Sequence, residues 1–476
     1  MAPAGRYSPD TAKHLRMVER QSSDLHRGSR FFAENIGTGP DTGSGGGLMK
    51  FALVNPAWTF EGSTYFGCHE PHYPLELLFA FDKIREAGHE PLLIDAQLEK
   101  LSIPQVKQRT GRFEPDFLVM PTAPSYLFWR CPPPELRVPK QWFAELDGCA
   151  LKVAIGPHPS ATPGPTLRKL DCDVALRGEP DETLVRLASE PWSQIDGCCW
   201  RDESGVHISP SLGVTDMRKL GALNFENYNV EAREHRHHVF SGSGRGAELE
   251  FARGCPWACA FCNKTLFRNK FRERDVDVVL AEVDRVTARG VDYIYWIDEI
   301  FGVGKNVQRL LAEIAKRPVS IGLQTRIDLW NEETLDLLGR AHCISMECGI
   351  ESITEEGRDE LNKGCRMSTE RLTDLLIYAR KRIPWVQANL ILTEHDERGE
   401  IRAWQDKLKA HDVWVSEPVP MFPYPGTPMY QQMFGPPDEQ AWERAHHYYT
   451  SIFSEKGYSD IQESRPANIE DLECTF

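Results

Sequence analysis

No stretch of the 476-residue sequence approaches the ~20 consecutive apolar residues of a membrane-crossing helix, so no membrane partner is expected. The first residues carry no apolar core behind their basic residues, so no secretory signal is expected and the cytoplasm is the expected location. Without an export signal, most of the 13 cysteines are expected as free thiols. Positive charge is scarce: 55 Lys and Arg stand against 70 Asp and Glu. The resulting net charge of -15 argues against nucleic acid as the main partner, because phosphate recognition wants a basic surface.

What remains is the composition of a soluble globular protein, 41% apolar and 26% charged. The length calls for two domains with extensions. The most specific stretch is Arg253-Gly254-Cys255-Pro256-Trp257-Ala258-Cys259-Ala260-Phe261-Cys262. An alternating run, 247–252, precedes it and reads as a strand. A basic segment, 264–274, follows it and reads as helix-like. Three thiolates at a Cys-x3-Cys-x2-Cys spacing suit zinc or an iron–sulfur cluster. A structural zinc site wants paired Cys-x2-Cys knuckles and a closed fourth ligand, and no second knuckle is present. On a four-iron cube, three protein ligands leave one iron open, which a catalytic cluster needs.

The rest of the chain divides by pattern. Residues 1–48 are polar, end in a Gly-rich linker and are expected to be disordered. Residues 49–200 alternate strands (51–54, 91–95, 117–120, 152–156, 174–177) with helices (75–87, 181–189), the signature of a doubly wound α/β domain. Ligands of such folds sit beyond the carboxyl ends of the strands. Residues 201–245 read as a connector, with His235, His237 and His238 solvated on it. Residues 246–430 alternate β and α regularly enough for a partial (β/α)6 barrel, with chemistry at the carboxyl ends of its strands. Residues 431–476 read as a short helical cap.

Polar residues gather at the predicted ends of the second set of strands: Asp298 and Glu299, Gln324 and Arg326, Glu351 and Ser352, with Gln387 and Asn389 on the fifth strand. A zwitterionic, ribose-bearing cofactor needs a carboxylate for its ammonium, Arg for its carboxylate and an acid for its ribose.

The cysteine stretch resembles that of the radical S-adenosylmethionine superfamily. The resemblance implies a 4Fe–4S cluster on Cys255, Cys259 and Cys262, with S-adenosylmethionine on the open iron and its one-electron cleavage to a 5′-deoxyadenosyl radical. Residues 296–301, 324–328, 349–352 and 423–428 resemble further motifs of that family. The loops Ile155-Gly156-Pro157-His158-Pro159-Ser160 and Gly178-Glu179-Pro180-Asp181-Glu182-Thr183, with 121–126, resemble the cobalamin-binding domain of its cobalamin-dependent members. Thr122, Tyr126, Gly156, His158, Ser160, Gly178 and Glu179 are then expected at the cobalamin. No Asp-x-His-x-x-Gly stretch offers a histidine to cobalt, so a non-ligating lower face, beside the aromatic run 126–129, is implied.

The function so implied is methyl transfer from methylcobalamin to an unactivated carbon of a small-molecule substrate, with an external electron donor such as flavodoxin or ferredoxin. A second reading is radical oxidation, cyclisation or rearrangement without methyl transfer. A methylthiotransferase needs three more cysteines in its first domain, and Cys68, Cys131, Cys149 and Cys172 do not follow that pattern. A cobalamin carrier or a zinc-stabilised binding protein would be the non-enzymatic reading.

Overall fold

The computed structural model describes residues 47–59, 72–125, 132–148, 150–232, 244–266, 268 and 270–456. The expected disordered extension, Tyr126 with the aromatic run 126–129, the histidines 235, 237 and 238, and the end of the cap lie outside the described residues.

The first sheet holds β1 (Lys50–Asn55), β2 (Glu90–Asp95), β3 (Phe117–Pro121), β4 (Leu151–Ile155), β5 (Val174–Leu176), β6 (Cys198–Asp202) and β7 (Gly205–His207). Their order is β2-β1-β3-β4-β5-β6-β7, parallel through β5. The order 2-1-3-4-5 is doubly wound, with its switch point between β1 and β3. Leu53, Val119, Val153 and Leu176 pack on one face, and Ala52, Val54, Leu118 and Ala154 on the other. Both faces are covered, as a parallel sheet requires. The expected connector begins later than residue 201, because β6 and β7 add an antiparallel hairpin to this sheet.

The second sheet holds β8 (Arg245–Leu249), β11 (Val291–Trp296), β12 (Ser320–Thr325), β13 (Cys343–Glu351), β14 (Trp385–Leu390) and β15 (Trp414–Val415). All pairs are parallel and in chain order, as in a barrel left open between β8 and β15. Helices Val276–Ala288, Val307–Ile314, Glu332–Arg340, Thr369–Arg380 and Arg398–Lys409 return the chain between strands. Asp275, Asn331 and Ser368 cap three of them with side-chain oxygens that accept first-turn amides.

Around the cysteines the structure departs from the sequence pattern. The run 247–252 is not one strand: β8 stops at Leu249, and the Asp298 carboxylate accepts the amides of Phe251 (2.8 Å) and Ala252 (3.0 Å). The basic segment 264–274 is not a helix. A 3-10 turn at Asn263–Leu266 gives way to β10 (Arg272–Glu273), which pairs antiparallel with β9 (Ala252–Arg253). Its arginines are drawn to two buried carboxylates on different elements, Arg268 and Arg272 to Glu179 and Arg274 to Glu282. The helix expected at 181–189 is confined to Thr183–Arg186. Beyond the second sheet stand helices Pro428–Phe434 and Ala441–Lys456.

Candidate active site

The cysteine loop begins at Gly254, whose φ of +85° suits glycine. A Cβ there would lie 2.1 Å from the carbonyl oxygen of Lys270. The amide of Gly254 donates to Glu299 at 2.6 Å, and that of Cys255 to the carbonyl of Arg268 at 3.3 Å. The ammonium of the buried Lys264 donates to the carbonyls of Cys255 (2.7 Å) and Trp257. Neighbouring loops hold the far side. Ala260 donates to the carbonyl of Leu361 at 2.9 Å, Asn362 to that of Ala258 at 2.7 Å, and Met429 to that of Ala260 at 3.2 Å. The loop is thus braced from the end of β11, from the turn after helix Glu355–Glu360 and from the first turn of helix Pro428–Phe434.

The three thiols are electrostatic neighbours of one another. Burial pushes all three up, Cys262 to about 12, while Lys264, Lys363 and Arg326 pull the other way. Cations beside a desolvated thiol set favour its metal-bound thiolate form. Among the described residues no group of three or more His, Cys, Asp and Glu is set to hold a single metal ion. A cube takes one thiolate on each of three irons, so the donor set fits an iron–sulfur cluster without converging on one point.

The strand-end residues divide into two groups. Arg326, Glu351 and the unanticipated Lys363 surround Cys259. Arg326 reaches over the Trp257 ring, donates to both Asp328 oxygens (2.9 and 2.7 Å), and donates to the carbonyl of Lys363 at 2.6 Å. The ammonium of Lys363 donates to Glu351 at 3.0 Å. Glu351 holds a φ of +69°, a rare conformation for a residue with a Cβ. Gln324, Gln387 and Asn389 lie on the strands themselves. Gln324 donates to Glu347 at 2.9 Å and Gln387 to Asn389 at 2.7 Å, in a polar ladder across β12, β13 and β14.

The second group serves the scaffold. Both Asp298 oxygens take backbone amides, and burial holds its carboxyl well above the usual carboxylate range. Glu299 is taken by Gly254 and Arg268. Ser352 is fully buried and donates to Asp396 at 2.9 Å. These three brace the loops.

At the carboxyl end of the first sheet, the Thr122 hydroxyl is buried and has no hydrogen-bond partner. Gly156 turns with φ +114°. Ser160 donates to the Gly156 carbonyl at 2.6 Å and accepts the Gly178 amide at 3.0 Å, tying the two loops together. His158 packs 4.2 Å from the Trp442 ring of the cap, and burial pushes it down to about 3, so it is neutral. Glu179 is engaged within the protein. Both its oxygens are occupied, by Thr215 N (2.7 Å), Arg272 (2.6 and 2.9 Å) and Arg268 (3.2 Å). Burial pushes its carboxyl up, but Arg272, Arg253 and Arg268 hold it down at about 2. Arg268 and Arg272 belong to the basic segment that reads as helix-like in the sequence, which gave no sign of these pairings.

Residues 249–404 match the model of the Radical SAM superfamily. An uncharacterized methyltransferase of Pyrococcus horikoshii is 23% identical over 81% of this chain and 83% of its own length. The anaerobic magnesium-protoporphyrin IX monomethyl ester cyclase of Cereibacter sphaeroides is 23% identical over 81% of this chain and 64% of its own. Among solved structures, the radical S-adenosylmethionine methyltransferase TsrM of Kitasatospora setae, with cobalamin and a [4Fe-4S] cluster bound, superposes with a TM-score of 0.60. It is 18% identical and covers 80% of this chain and 77% of that one.

Proposed function

We propose that this radical S-adenosylmethionine enzyme is a cobalamin-dependent methyltransferase acting on an unactivated carbon of a small molecule. One observation carries the reading: a braced three-cysteine loop with Arg326, Glu351 and Lys363 gathered at Cys259, below a doubly wound sheet whose strand ends hold the buried, unpartnered Thr122 hydroxyl. When bound, the cluster supplies the electron that cleaves S-adenosylmethionine to a deoxyadenosyl radical, and the cobalamin carries the methyl group.

Cys255, Cys259 and Cys262 would hold the cluster. Arg326 and Lys363 would meet the carboxylate of S-adenosylmethionine, and Glu351 its ammonium or ribose. Gln324, Gln387 and Asn389 line the open sheet face beside them, where they would orient adenosine or substrate. Thr122, Gly156 and Ser160 would shape the cobalamin site within residues 49–200, and 246–430 would form the catalytic unit. With no Asp-x-His-x-x-Gly stretch, the cobalamin would be bound without a histidine on cobalt. A flavodoxin or ferredoxin would deliver the electron. Among the described residues no helix is long and apolar enough to cross a membrane.

Radical cyclisation without methyl transfer is the second reading, favoured by the cyclase relative. Mass spectrometry of the metabolites of cells with the active enzyme and with its Cys255→Ala, Cys259→Ala, Cys262→Ala variant decides between them. A product heavier by one methylene supports methyl transfer, and an isomer or a dehydrogenated product supports the second reading. Full iron and sulfide in the triple variant would sink both.

A further inference from the structure

We infer that the loop 178–183 of the first sheet positions the first cysteine of the cluster loop, with Glu179 and Asp181 acting through Arg253 and Arg268. The path is continuous. Asp181 accepts from Arg253 at 2.5 and 3.2 Å, and Glu179 lies 3.2 Å from Arg268. Arg253 immediately precedes Gly254, and the carbonyl of Arg268 accepts the Cys255 amide at 3.3 Å. Glu299 closes the circuit by taking both the Gly254 amide and Arg268.

The circuit is dry: the side chains of Glu179, Asp181, Arg253 and Arg268 are no more than 1% exposed. Its charges nearly balance, with Arg253, Arg268 and Arg272 facing Glu179, Asp181, Glu250 and Glu299. In so dry a place an ion pair is a rigid, directional joint, and removing one partner leaves an uncompensated charge. The loop itself does not shift on its sheet. Gly178 has φ +85°, and a Cβ there would lie 2.3 Å from the Gly213 carbonyl oxygen. Glu179 also donates its amide to that carbonyl at 2.9 Å. The Gly-Glu loop is therefore the joint that sets the cluster loop against the first sheet, and Glu179 is a positioning residue.

This deepens the proposed function, and its first test needs no cofactor. In apoprotein, iodoacetamide labelling of Cys255, Cys259 and Cys262 is followed residue by residue by mass spectrometry. Glu179→Gln is expected to raise the Cys255 rate several-fold and leave Cys259 and Cys262 unchanged. An equal rise at all three, which general loosening would give, or no rise at Cys255, overturns the inference. Should that variant fail to fold, hydrogen exchange of the wild-type apoprotein decides. Amides of 178–183 and 253–255 are expected to open in one step with the same denaturant dependence, and separate openings overturn it. A protein that behaved so yet bound no cluster would refute the proposed function while leaving the joint intact.

Discussion

The Arg326 guanidinium lies 4.3 Å from the centroid of the Trp257 ring, so the end of β12 reaches across the cysteine loop from above. The same guanidinium donates to both Asp328 oxygens, which holds the cation at the ring.

Arg326→Ala is expected to weaken S-adenosylmethionine binding, measured by calorimetry on cluster-loaded protein. Trp257→Leu removes only the ring contact, worth about 1–2 kcal/mol at a largely dry site, and is expected to cost roughly five- to thirtyfold in affinity. Glu351→Gln is expected to weaken binding through the ammonium or ribose. Unchanged affinity in all three, with iron content intact, would remove these residues from the cofactor site.

Gly254→Ala forces a Cβ to within 2.1 Å of a backbone oxygen at a positive φ, so the loop must open. Loss of iron on reconstitution is the expected result. Gly399→Ala serves as the control. It lies in helix Arg398–Lys409, where a Cβ meets nothing within 4 Å. That change is expected to raise stability by about 0.5–1 kcal/mol in a denaturant titration.

Glu76 is fully buried beside Arg268 and Ser125, and burial raises it from 4.5 to about 7. Its folded value lies above its unfolded one, so the native state holds the proton longer. The contribution of Glu76 to stability is fully present below pH ~4.5 and is lost as pH rises through ~7, by roughly 3 kcal/mol in total. Glu76→Gln is expected to abolish that fall, matching wild type at pH 4 and exceeding it at pH 8 in chemical unfolding. Parallel pH profiles would show that Glu76 is charged in the native state.

Asn263, next to Cys262, is 0% exposed, and neither atom of its amide has a hydrogen-bond partner. A buried unpaired amide costs about 1–3 kcal/mol. Asn263→Leu is expected to leave apoprotein as stable or more so, while shrinking the rise in melting temperature on cofactor loading. An equal loss in apo and loaded protein would make Asn263 an ordinary scaffold residue.

Much of this was legible from periodicity and spacing. Strands β1 to β5 run within a residue or two of their expected bounds, because buried parallel strands read as short apolar runs between Gly and polar breaks, whereas β6 and β7 were not expected and β8 stops three residues short of 252. The cysteine spacing located the loop, and Arg326 and Glu351 stand beside it. Asp298, Glu299 and Ser352 look the same in sequence as cofactor ligands, since a carboxylate or hydroxyl at a strand end serves backbone amides equally well. The arginine partners of Glu179 were not legible for a related reason: they lie 74–93 positions downstream, two of them on a segment whose composition suggests a helix. Lys363 carried no periodic or motif signal, because its place depends on how the loop after β13 folds back over β12.

The buried joint between Glu179, Asp181 and the arginines of the cysteine loop also limits how such proteins recombine. A first half grafted from a relative with another residue at 179 or 181 would cost Arg253 or Arg268 a buried carboxylate partner at the seam, leaving Glu250 and Glu299 to hold them. Chimeras are therefore expected to survive only when the crossover carries 178–183 and 250–274 together, making these two distant stretches one inherited unit.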